Sequence, residues 1–222
     1  MKSFVEEKKF YAYLLVEPAT RVCAKVIELS DLLGDYTIRG GLCFDSSKNA
    51  YKVVLIMRYW TLGLERVKIA SLEDKQWRKL EFPYDIHSVL YVITLHGRLH
   101  YWIRVEDGVD DDNDEINELH ESMWERLNCP RKLIYFDPIS ENFPTFPVPE
   151  PKSDQENNVI AGLGVLNGCL CMTRLEDDKG VEILVMNEYG VKESWTSLFF
   201  TRKEAMLSNY GYRFVEIIGN KY

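Results

Sequence analysis

The residues of this chain best suited to chemistry lie in one acidic run. Asp110, Asp112, Asp114, Glu118 and Glu121 fall at the first, third, fifth, ninth and twelfth places of a calcium-loop count, a spacing that supplies oxygen ligands to a hard cation. The sixth place is Glu115, where the sharp turn requires glycine, and the strand-like Tyr101-Trp102-Ile103-Arg104 stands where a helix should precede the loop. A solvated acidic loop without calcium is expected. His96 and His100 raise the question of a transition metal. With His96 in a two-residue turn and His100 on the returning strand, their rings stand roughly 10 Å apart at about 3.4 Å per residue, too far for one ion. Both are expected as surface residues. Cys169 and Cys171 form a lone pair in a strand pattern, and no second pair follows at zinc-ribbon spacing. There is no Gly-x-Ser-x-Gly elbow, and Gly162-x-Gly164 lies in a strand run with no helix after it. The expectation is a chain that is not an enzyme and that holds no cofactor and no metal.

Composition narrows the partners. The 222 residues suffice for one large all-β domain or two ordinary ones, and 46% hydrophobic content supplies a sizeable core. A net charge of −8 with no Lys/Arg cluster disfavours nucleic acid, whose recognition needs concentrated positive charge. The apolar runs are of strand length, short of the ~20 residues that a membrane helix needs, so no membrane partner is expected. Residues 1–11 form a charged N-terminal segment without a signal-peptide core. Cys23, Cys43, Cys129, Cys169 and Cys171 are odd in number and lie mostly in strand patterns, which reads as reduced thiols in the cytoplasm or nucleus.

The elements that would position these residues are hairpins, and they repeat. Val92-Ile93-Thr94-Leu95-His96-Gly97-Arg98-Leu99-His100 is echoed by Leu163-Gly164-Val165-Leu166-Asn167-Gly168-Cys169-Leu170-Cys171. His96-Gly97 and Asn167-Gly168 read as type I′ turns, because glycine accepts the positive φ they demand. Each inner hairpin is followed by an outer one that reaches an aromatic residue: Val67 to Trp77, Ile134 to Phe143 and Ile183 to Trp195. Trp77, Phe143 and Trp195 are read as structural fillers. Inner strands such as Lys52 to Ile56 and Val89 to Ile93 are continuously apolar, as strands buried on both faces should be. Outer strands alternate, as in Glu65 to Ile69, which suits one solvated face. The pattern predicts a Tyr13–Ile27 hairpin, three complete units over residues 40–82, 89–148 and 159–199, and a last strand from Arg213 to Ile218. Such a unit reads as one four-stranded propeller blade. Residues 106–128 read as an acidic and helical insert. Within it Ile116, Leu119, Met123 and Leu127 recur at helical spacing, and Asn128 and Pro130 stop the helix.

Several of these segments resemble the type 1 F-box-associated domain of plant F-box proteins, a group that includes the F-box/kelch-repeat and S-locus F-box proteins. The residues that carry the likeness are Tyr51-Lys52-Val53-Val54, Ser71-Leu72 with Trp77-Arg78-Lys79-Leu80, Leu95 to Trp102, Phe136-Asp137 with Phe143, and Met186 to Trp195. The resemblance spans roughly residues 12 to 200, within a domain taken as 12–222. It implies an all-β, kelch-like β-propeller, incomplete here, that captures a target protein for a Skp–cullin–F-box ubiquitin ligase. The F-box itself is absent, and Glu17 stands where a family member usually carries asparagine. The reading is therefore a truncated chain that meets a Skp-family adaptor only if an F-box is supplied upstream. Two alternatives accompany it: a stand-alone or vestigial propeller scaffold without a ligase role, and a propeller hydrolase, for which no motif is present.

If each unit runs from inner to outer strand, the long connections gather on one face. Long loops on a rigid scaffold are where partners bind. Trp60, Tyr84, His87, Asp110, Asp111, Asp112, Asp114, Trp124 and Tyr210 are the partner-binding candidates on that face. Its acidic centre favours a target with a basic surface.

Overall fold

A computed structural model describes residues 9–16, 23–32, 36–59, 65–74, 76–84, 86–105, 131–150, 160–176 and 180–201. These residues form antiparallel sheets, with one 3-10 turn at Lys192–Ser194 as the helical element among them. Strands β1 (Lys9–Val16) and β2 (Cys23–Leu32) pair as a hairpin. Strands β3 (Tyr36–Asp45), β4 (Ala50–Tyr59), β5 (Glu65–Ser71) and β6 (Arg78–Leu80) form a second sheet in that order. A third contains β7 (Ile86–Leu95), β8 (Arg98–Val105) and β9 (Arg131–Phe136). A fourth contains β10 (Ile160–Leu166), β11 (Cys169–Glu176), β12 (Gly180–Met186) and β13 (Trp195–Thr201). In every sheet, neighbours in sequence are neighbours in space. The fold class is all-β, as the hairpin pattern predicts. The helical insert 106–128 and the Arg213–Ile218 strand lie outside the described residues.

The chain divides into two compact units, residues 1–83 with 137–142, and residues 84–136 with 143–222. In the first, β4 forms the core. Val53, Val54, Leu55, Ile56 and Met57 are all buried, so both faces of the strand are covered. Val53, Leu55 and Met57 pack with Ala70 and Leu72, and Leu42 and Trp77 lie against them. Val54 and Ile56 face Ile69 and Val67 across the β4–β5 ladder. Gly40 on β3 is required by close approach, because a Cβ there would stand 2.0 Å from the Val54 carbonyl oxygen.

The second unit is built on Leu95, Trp102, Leu133, Phe146, Ile160, Leu163, Leu170, Met172, Leu184 and Met186. Trp195 packs against this cluster, and Phe143 packs on Phe136 and Tyr101. With Trp77 in the first core, all three recurring aromatics are structural, as expected. The turns also follow the sequence: His96 and Gly97 have φ 50° and 72°, Asn167 and Gly168 φ 50° and 77°. Positive φ at both central residues is the type I′ signature.

Three expectations differ. Val89 to Ile93 is half-buried, since β7 is an edge strand of its sheet and lacks a neighbour on one side among the described residues. Strand β12, expected to show one solvated face, is buried from Gly180 to Met186: Leu184 and Met186 lie in the apolar cluster, and Glu182 pairs with Arg174. The segment from Phe143 to Val148 is not a regular strand. It touches β9 through the Ile134–Thr145 bridge and the bonds Tyr135 N to Pro144 O and Phe146 N to Leu133 O. Pro144 and Pro147 carry no amide hydrogen and so cannot extend a ladder.

Candidate functional site

Of the sequence-predicted partner residues, Tyr84 has a described side chain, and it is half-buried. Its hydroxyl donates to the Phe143 carbonyl at 2.9 Å, and Lys132 Nζ stands 5.5 Å from its ring centre. Burial raises its pKa. Tyr84 thus serves to tether the irregular segment beside β9. His87 lies on β7, and its side chain is outside the described ones. Trp60, Asp110, Asp111, Asp112, Asp114, Trp124 and Tyr210 lie outside the described residues altogether. Tyr84 is thus the one of the nine candidates whose side chain is among the described residues.

The described residues organise a set of polar side chains beside the hairpin turns. In the first unit, Asp45 closes β3 and shapes the Ser46–Asn49 turn. Its Oδ1 accepts from Ser47 N at 3.0 Å, Ser47 Oγ at 2.6 Å and Lys48 N at 3.2 Å, the arrangement by which a short acidic side chain nucleates a turn. Its Oδ2 pairs with Lys52 Nζ at 2.7 Å. Lys52, 4% exposed, also donates to Pro138 O at 2.6 Å and Glu141 Oε1 at 2.8 Å. Arg78 pairs with the other oxygen of Glu141. The ammonium meets two carboxylates and a carbonyl, so the buried charge is compensated. The Lys52 hydrogen bond, then that of Ser47, hold the Asp45 carboxyl far below the usual carboxylate range. For Glu141, burial opposes ionisation but is outweighed by Lys52 and Arg78, and the pKa falls. For Lys52, burial likewise opposes charge, yet the two carboxylates raise its pKa. Glu141 keeps φ 55°, an uncommon value for a non-glycine residue, inside this clamp.

In the second unit, His100 is fully buried, which corrects its expected place on the surface. Its Nε2 meets Tyr189 Oη at 2.7 Å. Tyr135, Phe146 and Tyr189 surround it, with ring centroids at 6.0, 5.1 and 5.6 Å. Desolvation, which the nearby Arg98 charge reinforces, lowers the imidazole pKa to about 4, so the ring is neutral near pH 7. His96, exposed in its turn, sets its ring edge-on to Tyr189 at 4.8 Å, and Arg98 lies 5.2 Å over the Tyr135 ring. The second unit therefore presents a cluster of Tyr, His and Arg at this turn, with a neutral histidine beneath it.

Lys52 and His100 are equivalent positions. Each is the third residue of the strand that follows an inner turn, after Ala50-Tyr51 and Arg98-Leu99. Each reaches a partner in a later outer-hairpin turn, and both partners are 89 residues further along the chain. That identical separation marks the repeat more firmly than the apolar pattern does. The third copy of the position is Cys171, 3% exposed, whose thiol is pushed up to about 11 by burial and by neighbouring Cys169. Sequence reasoning noted the echo of the turns but passed over this position. The signal was present in a charged residue, Lys52, opening an otherwise apolar run.

The remaining polar chemistry is structural. Arg174 and Glu182, both buried, pair at 3.5 Å across β11 and β12, and Arg174 also donates to Glu150 O at 2.7 Å. Cys43, Cys169 and Cys171 are free thiols, and burial pushes Cys43 up to about 12. Among the described residues no three His, Cys, Asp or Glu side chains converge as metal ligands, and no helix is long and apolar enough to cross a membrane.

No family profile matches the chain. Comparison with individual proteins does find relatives. The chain is 28% identical over 210 residues to the F-box protein CPR1 of Arabidopsis thaliana, an alignment that covers 88% of this chain and 49% of CPR1. A second F-box protein of that plant is 27% identical over 204 residues, covering 82% of this chain and 44% of the relative. A third is 26% identical over 181 residues, covering 76% and 41%. This chain thus spans half or less of the length of these relatives. Over most of its own length, it is related to Arabidopsis F-box proteins.

Proposed function

We propose that this chain is the target-recognition part of an F-box-type ubiquitin ligase subunit, and that its meandering sheets are blades of a kelch-like β-propeller. The observation that carries the reading is its similarity to F-box proteins over most of its length. Sheets in which strands consecutive in sequence pair antiparallel support the blade assignment. In this reading the chain catalyses nothing. It holds a protein client, while an F-box segment joined to it engages a Skp-family adaptor. Buried, free Cys43 and Cys171 suit the reducing cytoplasm or nucleus in which such a ligase works.

The test is a tagged pull-down from plant extract with two proteins, the chain alone and the chain joined to an F-box segment. Both should retain the same client, and only the second should retain the adaptor and support client ubiquitination. An F-box-bearing form that recruits adaptor but neither binds nor modifies any client that the chain alone retains would remove the recognition role. It would leave the stand-alone scaffold as the better account.

A further inference from the structure

We propose that the turn between β7 and β8 is a docking site for an acidic side chain of a partner protein, whose carboxylate Arg98 and His96 receive together. The Arg98 guanidinium is half-buried and lies 5.2 Å from the centre of the Tyr135 ring, within the range at which an aromatic face attracts a cation. It also acts on the Tyr189 hydroxyl, whose pKa burial raises and Arg98 lowers. His96, exposed, sets its ring edge-on to the same tyrosine at 4.8 Å. Tyr189 is fixed in turn by His100 Nε2 at 2.7 Å, and Tyr135 is the ladder partner of His100. Arg98 and His96 therefore share one aromatic support. Among the described residues Arg98 pairs with no carboxylate, although the chain carries 35 acidic residues against 27 basic ones. Lys52, Arg78, Arg174 and Lys192 each have such a partner.

The hairpin itself does not call for these residues. Arg98 makes the first pair of its ladder, with Leu95, and the same place in the other two copies holds Ala50 and Cys169. Asn167 takes the place of His96 at the same φ of 50°. The frame is thus built elsewhere without an arginine or a histidine, so their presence here points to recognition. A planar guanidinium offers a fork of donors that matches a planar carboxylate, and one already stacked on a ring loses little freedom on binding. The net charge of −8 opposes nucleic acid and anionic membrane. Tyrosine and arginine are the side chains that most often anchor protein interfaces, which makes a protein the source of the carboxylate. The turn lies at the opposite end of β8 from Val105, where the long connection to β9 begins. It is therefore separate from the loop face read from the sequence.

The inference rests on the target-recognition reading only in making the acidic residue part of a client. The test therefore uses the isolated chain and no ligase component. A peptide of alternating glutamate and glycine, carrying an uncharged dye, is titrated with the chain at low salt and followed by anisotropy. A second peptide has glutamine in place of every glutamate. Saturable binding of the glutamate peptide is expected, weakened by about tenfold or more both with the glutamine peptide and in Arg98→Gln. Arg98→Lys keeps the charge but loses the fork, and it should weaken binding as well. Circular dichroism should show Arg98→Gln folded, since Ala50 and Cys169 fill the equivalent places. His96→Asn serves as a second variant should Arg98→Gln not fold, because Asn167 sustains the same turn. Absence of saturable binding overturns the proposal, as does equal binding of the glutamine peptide or equal binding by a folded variant. Sedimentation that shows an assembly dissolved by Arg98→Gln makes a second copy the occupant and overturns it too. Binding that appears only after removal of residues 106–128 makes the chain's own acidic run the occupant, with the same consequence. Peptide binding without client recruitment in the pull-down sinks the ligase reading alone, and client recruitment that survives Arg98→Gln sinks this one alone.

Discussion

Acidification should destabilise the protein through His100 before it reaches Asp45 or Glu141. The imidazole is buried and neutral, with its pKa lowered from 6.5 to about 4. The unfolded chain therefore binds a proton near pH 6.5 that the folded chain refuses until about pH 4. Stability is full above the unfolded value, falls as pH drops through this window, and levels off below the folded value. At about 1.4 kcal/mol per unit, the whole shift is worth about 3 kcal/mol, of which about 2 is lost by about pH 5. Asp45 and Glu141 are also lowered, from 3.8 and 4.5, so their contribution is lost only below that point. Urea denaturation of the parent and of His100→Gln at a series of pH values isolates the effect. Glutamine retains a hydrogen-bonding partner for Tyr189 but does not titrate. The parent should lose about 2 kcal/mol between about pH 7 and pH 5, and the variant, less stable at neutrality, should be flatter by that amount. Parallel curves for the two proteins would refute the burial argument.

Three further outcomes are expected. Lys52→Met should lower the denaturation midpoint much more than Arg78→Met, because Lys52 is buried with two carboxylates while the Arg78 side chain is 52% exposed; similar midpoints would refute the ranking. Gly168→Val should cost about 1–3 kcal/mol from backbone strain alone, since nothing lies within 4 Å of a Cβ there, whereas Gly40→Val should fail to fold because of the Val54 carbonyl; calorimetry reads both. In a timed thiol-labelling experiment with peptide mapping, Cys169 should react before Cys43 and Cys171, whose thiols are buried and held up at about 12 and about 11.

The hairpins were legible because local chemistry specifies them. Asn167-Gly168 and His96-Gly97 demand one turn type, and the apolar runs on either side fix which strands pair. The prolines at 144 and 147 were equally visible, yet their cost to a regular strand was not drawn from the pattern. Burial of β12 was not legible at all, since Glu182 reads as a solvent-facing residue until Arg174 is placed beside it. The Lys52 and His100 ties were hidden for the same reason. Each joins groups 89 residues apart, and no local window contains both ends.

The position shared by Lys52, His100 and Cys171 has a consequence for how such a chain can change. It is a socket at a fixed place in the ladder, and in this one molecule it holds an ammonium, an imidazole and a thiol without altering the strands that carry it. The backbone pairing therefore does not depend on what fills the socket, whereas the fastening of one turn to another does. A single substitution there can retune how firmly two turns are held, or at what pH they part, while leaving every strand register in place. Repeats built this way can diverge at their fasteners one copy at a time, with the common frame preserved.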